Sequence, residues 1–228
     1  MKRLVAVGVA CLVASSAFAA LSKDEVKRLN EAGTILTELR NLPDKGIPEN
    51  LWDKAQCVLV IPSMKKAAFV VGGEYGSGVM SCRTHGWSAP VFMQLAKGSW
   101  GLQIGAEQTD LVLLVMNKRG VEKLLDDKVS LGADLSVAAG PLGRSGSAAT
   151  DAQMSAEMLS YSRSQGVFAG IDLSGGVLHP DKEADARAYG ASVSAHDIVS
   201  GTKPMRLTEA DSFINALQAN VRATTGKK

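Results

Sequence analysis

Histidine is scarce in this chain. His85, His179 and His196 are the only three in 228 residues, and all fall in expected turns or helix starts. Histidine is the side chain most often used for general acid–base work. His196 and Asp197 are adjacent, but sequence neighbours do not make a base and its orienting partner. Also missing are H-E-x-x-H, a P-loop and a G-x-G-x-x-G opening a helix. No G-x-S-x-G elbow occurs; Gly143-Arg144-Ser145-Gly146 is offset from one. GGEYGSG at 72–78 is rich in glycine but reads as strand. Glu74, Glu107, Asp110, Asp134 and Asp172 have no spacing that forces them into a carboxylate pair or a calcium site. No motif calls for a metal or a cofactor, and the expectation is a protein that is not an enzyme.

Cysteine and long apolar runs are equally sparse. Of three cysteines, Cys11, Cys57 and Cys82, none lies in a C-x-x-C, which argues against zinc. The apolar run Leu4 to Ala14 is shorter than the ~20 residues of a membrane span. It follows the basic Met1-Lys2-Arg3 and precedes Ala17-Phe18-Ala19, so residues 1–20 read as a signal peptide and 21–228 as one domain. Cys11 lacks the bulky aliphatic residue three positions upstream that a lipoprotein signal carries. Export to the periplasm or cell envelope is expected. Removing residues 1–20 takes Lys2 and Arg3 and no acid, leaving 23 bases against 23 acids. A neutral chain is a poor polyanion binder, so nucleic acid is not an expected partner. In an oxidising compartment Cys57 and Cys82 either pair or stay as two buried thiols.

What the chain does have is pattern. Ser22-x-x-Glu25 is a capping box opening a helix over 22–41, with Val26, Leu29, Ala32, Ile35, Leu36 and Leu39 on one stripe. Pro43-Asp44-Lys45-Gly46 ends it, and a short helix follows over 49–56. The period then changes to two. Cys57–Ile61 and Leu111–Met116 are continuous apolar runs of the kind buried on both faces, the first broken by Pro62-Ser63. Strands are expected over Ala67–Arg83, Trp87–Leu95, from Trp100 through Ala106, over Leu131–Val137, 156–163 and 166–175. Gly72, Gly73, Gly76 and Gly78 are costly inside a strand unless it is bulged, bent or closely approached, and they imply a strongly coiled sheet. Val121–Asp126 is a short helix, 144–154 a loop, and helices return over 181–189 and 207–222 with a turn near Asp197. This order predicts α+β: a strongly twisted antiparallel, barrel-like sheet with N- and C-terminal helices packed against it. Trp52, Trp87 and Trp100 are core residues or mark a protein-binding face.

Four long segments carry a family resemblance: VLVIPSMKKAAFVVGGEYGSGVM, WSAPVFMQLAKGSWGLQIGAEQTDLVLLVMN, LGADLSVAAGPLGR and YSRSQGVFAGIDLSG. In this order they resemble the SYLF family over roughly residues 30–222. The resemblance implies a domain that binds phosphoinositides or other anionic phospholipids; some members also bind actin and sit beside SH3 or FYVE domains. Bacterial members are exported single-domain proteins, which this chain resembles. One departure is ADARAYG at 184–190, where members often carry an asparagine and paired tyrosines. The resemblance points to the first helix and nearby cations as the lipid-binding residues: Lys23, Lys27 and Arg28, with Lys65 and Lys66 in the expected turn at 64–67. The expected partner is an anionic phospholipid membrane surface. An envelope structural or protein-interaction module is the alternative. The stripe on the first helix faces either that bilayer or the core.

Overall fold

The computed structural model describes residues 21–42, 46–68, 70–101, 107–143, 155–164, 167–201 and 205–225. The expected leader at 1–20, the loop at 144–154 and most of the helix stop at 43–46 lie outside these residues. Helices α1 (Lys23–Arg40) and α2 (Glu49–Lys54) lead into four long strands: β1 (Cys57–Ala68), β2 (Val70–Cys82), β3 (Val91–Gly101) and β4 (Glu107–Val115). After α3 (Lys118–Leu125) come β5 (Val129–Ser130), β6 (Val137–Ala139), β7 (Met158–Ser164), β8 (Val167–Gly170) and β9 (Gly176–Pro180). The chain closes with α4 (Lys182–Tyr189), α5 (Ala195–Ser200), a 3-10 turn (Thr208–Ala210) and α6 (Asp211–Thr225).

The strands form one curled sheet in the order β5-β9-β3-β2-β1-β4-β7-β6, with β8 also paired to β7. The α+β class and the curled sheet are as expected. The continuous apolar strands explain the layering. Alternate side chains of a strand face opposite sides, and here both sides are covered. Val58 and Val60 of β1, with Val112 and Leu114 of β4, pack under α1, α2 and α6. Cys57, Leu59 and Ile61, with Leu111, Leu113 and Val115, pack against α3, α5 and β9 on the other side. Cys57 and Cys82 stand opposite each other on β1 and β2 and are joined by a disulfide.

Helix α1 opens on the expected capping box: Ser22 Oγ accepts the Glu25 N–H and Glu25 Oε2 accepts the Ser22 N–H at 2.7 Å. Its stripe is core, since Leu29, Ala32, Ile35, Leu36 and Leu39 are buried. It lies across the strands, meeting β3 through Arg28 and Phe92 and β7 through Glu38 and Arg163. Ten residues of helix rise about 15 Å, close to the ~19 Å of four strand spacings. Helix α6 packs on α1 where Gly33 removes the side chain. A β-carbon there would sit 3.0 Å from the Ser212 carbonyl carbon.

Pro62 does not end β1. The strand continues through a bulge between Val60 and Lys65, with Ser63 at φ 49°. That left-handed backbone is uncommon outside glycine, and it is held because the Ser63 N–H donates to Asp110 Oδ1 at 2.8 Å. The bulge accounts for two of the strand glycines. A β-carbon at Gly76 would lie 2.5 Å from Ile61 Cγ2, and one at Gly78 would lie 2.6 Å from Ile61 Cγ1 and closer still to the Val60 carbonyl oxygen.

Other expectations differ in detail. Lys65 and Lys66 stand within β1, not in a turn. The strand expected over Trp87–Leu95 begins only at Val91, after Trp87 makes a single bridge to Arg83. The region 131–137 is mostly a turn, with β6 starting at Val137. The strand expected over 166–175 is the short β8, and β9, carrying His179, follows it. The turn near Asp197 is the helix α5, opened by a Ser194–Asp197 capping box. β6 pairs with β7 in parallel. The intervening segment is long enough to bring the chain back in the same direction, which a short hairpin cannot do.

The glycine contacts make a direct prediction. Gly78→Ala should destabilise the fold by about 2–3 kcal/mol through overpacking against backbone. Gly98→Ala, whose β-carbon meets nothing within 4 Å, should change stability by less than about 0.5 kcal/mol. Denaturant midpoints of the two variants check this.

Candidate functional site

Three groups of polar side chains stand out, and the first is the most enclosed. At the junction of α1, β3 and α4, the carboxyls of Glu25, Asp181 and Asp185 are all buried. Asp181 caps α4, accepting the Ala184 N–H at 3.2 Å. It also takes Arg28 Nη1 at 3.2 Å, while the Arg28 guanidinium lies 5.5 Å from the centre of the Phe92 ring. Arg187 of α4 reaches back to Glu25 Oε1, with Nε at 2.7 Å. Asp185 Oδ1 accepts the Phe92 N–H at 2.9 Å. Tyr189 donates its hydroxyl to the Pro90 carbonyl at 2.6 Å.

The electrostatics of this junction divide its three carboxyls. Burial works against the charged forms of Glu25 and Asp181. Hydrogen bonds outweigh it, from Arg187 and Ser22 for Glu25, and from Gln94, Ala184 and Arg28 for Asp181, so both sit below the usual range. Asp185 goes the other way. Burial, aided by the neighbouring charges of Asp181 and Glu25, pushes it up to about 7 against the Phe92 N–H and Arg28. Tyr189 is raised by burial.

The second group ties the β1 bulge to α1. Asp110, which receives the Ser63 N–H, also takes Arg163 Nε at 2.9 Å and Nη2 at 2.7 Å, and Arg163 pairs with Glu38 of α1. Burial raises Asp110 above its ordinary range despite the Ser63 N–H. In the third group, Glu157 accepts Lys123 Nζ at 3.0 Å and the Ser136 N–H at 2.9 Å. All three groups join elements of the fold. In the third, the Ser136 hydroxyl donates to Glu157 Oε2 at 3.3 Å and accepts the Glu157 N–H at 2.9 Å, which ties the two segments together. Among the described residues no group of three or more His, Cys, Asp or Glu could hold a metal ion.

The acids singled out from the sequence are separate. Glu74 pairs with Lys66 at 3.5 Å. Asp134 accepts the Ser130 N–H and Asp172 the Ser174 N–H within their own turns. The side chain of Glu107 lies outside the described residues. Trp52 is buried in the core, Trp87 is half-buried beneath the Arg83 guanidinium, and the side chain of Trp100 is outside the described residues.

The five cations singled out from the sequence do not form one patch. Lys23 and Lys27 are exposed on α1, Lys27 within 3.7 Å of Glu31. Arg28 is held inward by Asp181 and Phe92. Lys65 and Lys66, adjacent on a strand, face opposite sides of the sheet. Lys65 is exposed opposite Tyr75, itself 48% exposed. Sequence reasoning missed the Glu25–Asp181–Asp185–Arg187 junction. Its only local signal is the helix start at Asp181 and the ADARAYG segment that follows.

Comparison with known proteins gives the chain its relatives. Residues 96–220 match the family model Ysc84, described as Las17-binding protein actin regulator. The human SH3 domain-containing YSC84-like protein 1 is 35% identical over 202 residues, covering 86% of this chain and 58% of the relative. The Xenopus laevis protein of the same name is 37% identical, covering 87% of this chain and 59% of the relative. LAS seventeen-binding protein 3 of Saccharomyces cerevisiae is 35% identical, covering 69% and 35%. The chain thus spans somewhat more than half the length of the vertebrate relatives.

Two outcomes follow from the junction. The folded protein holds the Asp185 proton up to about pH 7, the unfolded chain only to about 3.9. Folding takes up a proton between those values. The stability from this group is therefore complete below about pH 4 and lost as pH rises through about 7. Asp185→Asn keeps an acceptor for the Phe92 N–H and should lack this loss, so that from about pH 4 to 8 the wild type falls by up to about 4 kcal/mol relative to the variant. Denaturation across a pH series reads the difference. Arg28→Ala strands Asp181 inside and should cost about 3–5 kcal/mol, a loss visible in the melting temperature without any ligand.

Proposed function

The chain belongs to the Ysc84 family of Las17-binding actin regulators, and from that premise we propose that it is a non-catalytic adhesion domain that binds anionic phospholipid at a membrane surface of the cell envelope. The observation that carries this reading is the pair Lys65 and Tyr75. They stand directly opposite each other on β1 and β2, and both are open to solvent. A cation beside an amphipathic ring suits a headgroup layer: the ring lies at the boundary and the lysine contributes about 1 kcal/mol against an anionic leaflet. Lys23 and Lys27 add exposed charge, and Lys66 is drawn partly to Glu74. Arg28 belongs to the interior and supports the helix that carries the other two.

A second reading has its own observation. Val167, on the short outer strand β8, is 62% exposed, and two of the matches are named for binding Las17. Protein recognition along this edge is the alternative to lipid. A reproducible cross-linked protein partner that survives detergent extraction favours it.

Co-sedimentation with vesicles of phosphatidylglycerol or cardiolipin separates the two. The lipid reading expects pelleting at low ionic strength that weakens at physiological salt, and a further loss for Lys65→Glu. Absence of pelleting in either condition removes it.

A further inference from the structure

We infer that α4 is a latch closed by a single proton on Asp185, which holds the helix against β3 and α1 and lets it lift as a unit when the proton is lost. This stands apart from the lipid reading, since nothing in it needs a membrane. The site begins with a gap in strand pairing. β9 ends at Pro180, opposite Met93. The next residue, Asp181, still donates its N–H to the Phe92 carbonyl at 2.8 Å. Its own carbonyl has turned into α4, where it accepts the Asp185 N–H at 2.9 Å. The Phe92 N–H is thus left without a strand partner, and Asp185 Oδ1 accepts it instead at 2.9 Å. A neutral carboxyl group can accept that bond, so the contact itself asks for no charge.

Charge matching supplies the proton. Three carboxyls are buried at this junction, Glu25, Asp181 and Asp185, and two guanidiniums face them. Asp181 holds Arg28 of α1, and Glu25 holds Arg187 of α4. Two charges of each sign cancel. A third carboxylate would stand buried without a partner, which is costly. The other groups nearby do not fill that need. On α4, Lys182 pairs with Asp127, Glu183 is exposed and shares Arg187, and Tyr189 gives its hydroxyl to the Pro90 carbonyl. On α1, Asp24 is exposed and Lys27 pairs with Glu31. On β3, Gln94 is neutral and bonds Asp181. On β9, the His179 ring lies against the Pro180 carbonyl.

The helix is free to move once that proton goes. Only Ala184 and Asp185 are buried along it, so its apolar hold is slight. It lies between Pro180 and Gly190, and Gly190 sits at φ 101° with nothing within 4 Å of where a β-carbon would stand. β3 does not depend on α4, being paired with β2 along its whole length. Lifting α4 also takes Arg187 from Glu25, so the first turn of α1 loosens with it. The closed form keeps the Asp185 proton to about pH 7, the open form only to about 4. Opening therefore becomes about tenfold easier per pH unit between those values, and the latch is tightest in mildly acidic surroundings.

The test is amide hydrogen exchange on the whole chain from about pH 5 to about pH 7. After correction for intrinsic rates, protection of the Phe92 and Ala188 amides should fall about tenfold per pH unit. Leu59 and Leu113, paired in the middle of the sheet, should stay at least roughly a hundredfold better protected. In Asp185→Asn the fall should shrink to less than about twofold per unit. Should that variant fail to fold, carbon NMR of the wild type decides: the Asp185 carboxyl should titrate near 7 in step with Phe92 protection. Phe92 protection that is flat with pH overturns the inference. Protection equal to that of Leu59 does so too, since α4 would then leave only when the whole sheet unfolds. A fall that persists in Asp185→Asn also overturns it, by placing the proton elsewhere. None of these results bears on vesicle binding, which the pelleting experiment decides.

Discussion

Ile61 and the Val60 carbonyl lie where the β-carbons of residues 76 and 78 would otherwise stand, and much of the architecture follows from that closeness. A β-bulge bends its strand and increases local twist. β1 can therefore continue past Pro62 only because β2 opposite it is stripped to glycine. The Asp110 carboxylate receives the Ser63 N–H that the bulge frees, and this fixes β4 against β1 at the same point. The bend lets five central strands curl, and the curl is what allows one sheet to bury apolar side chains on both faces. A flat sheet with the same sequence would leave either the Val58–Val60 face or the Leu59–Ile61 face short of cover.

The ionic groups read as consequences of that geometry. A helix laid across a curled sheet meets it at its ends more readily than along its length, and α1 is tied at both. Glu25 and Arg28 engage α4 and its cap near one end, and Glu38 engages Arg163 near the other. Exposed ion pairs contribute little. The carboxylates of Glu25 and Asp181 are enclosed and backed by N–H donors, so loss of a partner leaves a charge stranded, whereas Glu38 is half exposed and its pair with Arg163 holds less. They hold α1 in one position over β3 to β7. That position also decides what the helix can do: with its apolar stripe inward and Arg28 paired, it offers a partner its polar outer face, with Lys23, Lys27 and Arg40 beside Asn30, Thr34 and Thr37.

Local features were legible in the sequence. The capping box at Ser22, the doubly buried runs expected at Cys57–Ile61 and Leu111–Met116 (the second buried as far as Val115) and the coil implied by four glycines each depend on residues a few positions apart. What escaped depends on distance along the chain. Arg28 finds Asp181 across 153 positions, and Ser63 finds Asp110 across 47. Neither pairing leaves a periodicity. Pro62 read as a stop because the carboxylate that rescues the next residue is out of local view. Lys65 and Lys66 read as a turn for the same reason, and the error matters. Two lysines in a turn make one patch, whereas two in a strand serve opposite faces.

That last difference carries the functional argument further than the count of cations does. A single patch can only lie against a charged surface, as a flat contact whose strength is set by salt. Cations divided between the two faces of a sheet, at one level along its strands, are poorly placed for flat contact, since one face turns away whenever the other is applied. They are well placed when the sheet stands on its end, because both faces then meet the same plane. Lys65 and Lys66 therefore serve different faces of β1, and a flat contact on either face uses only one of them.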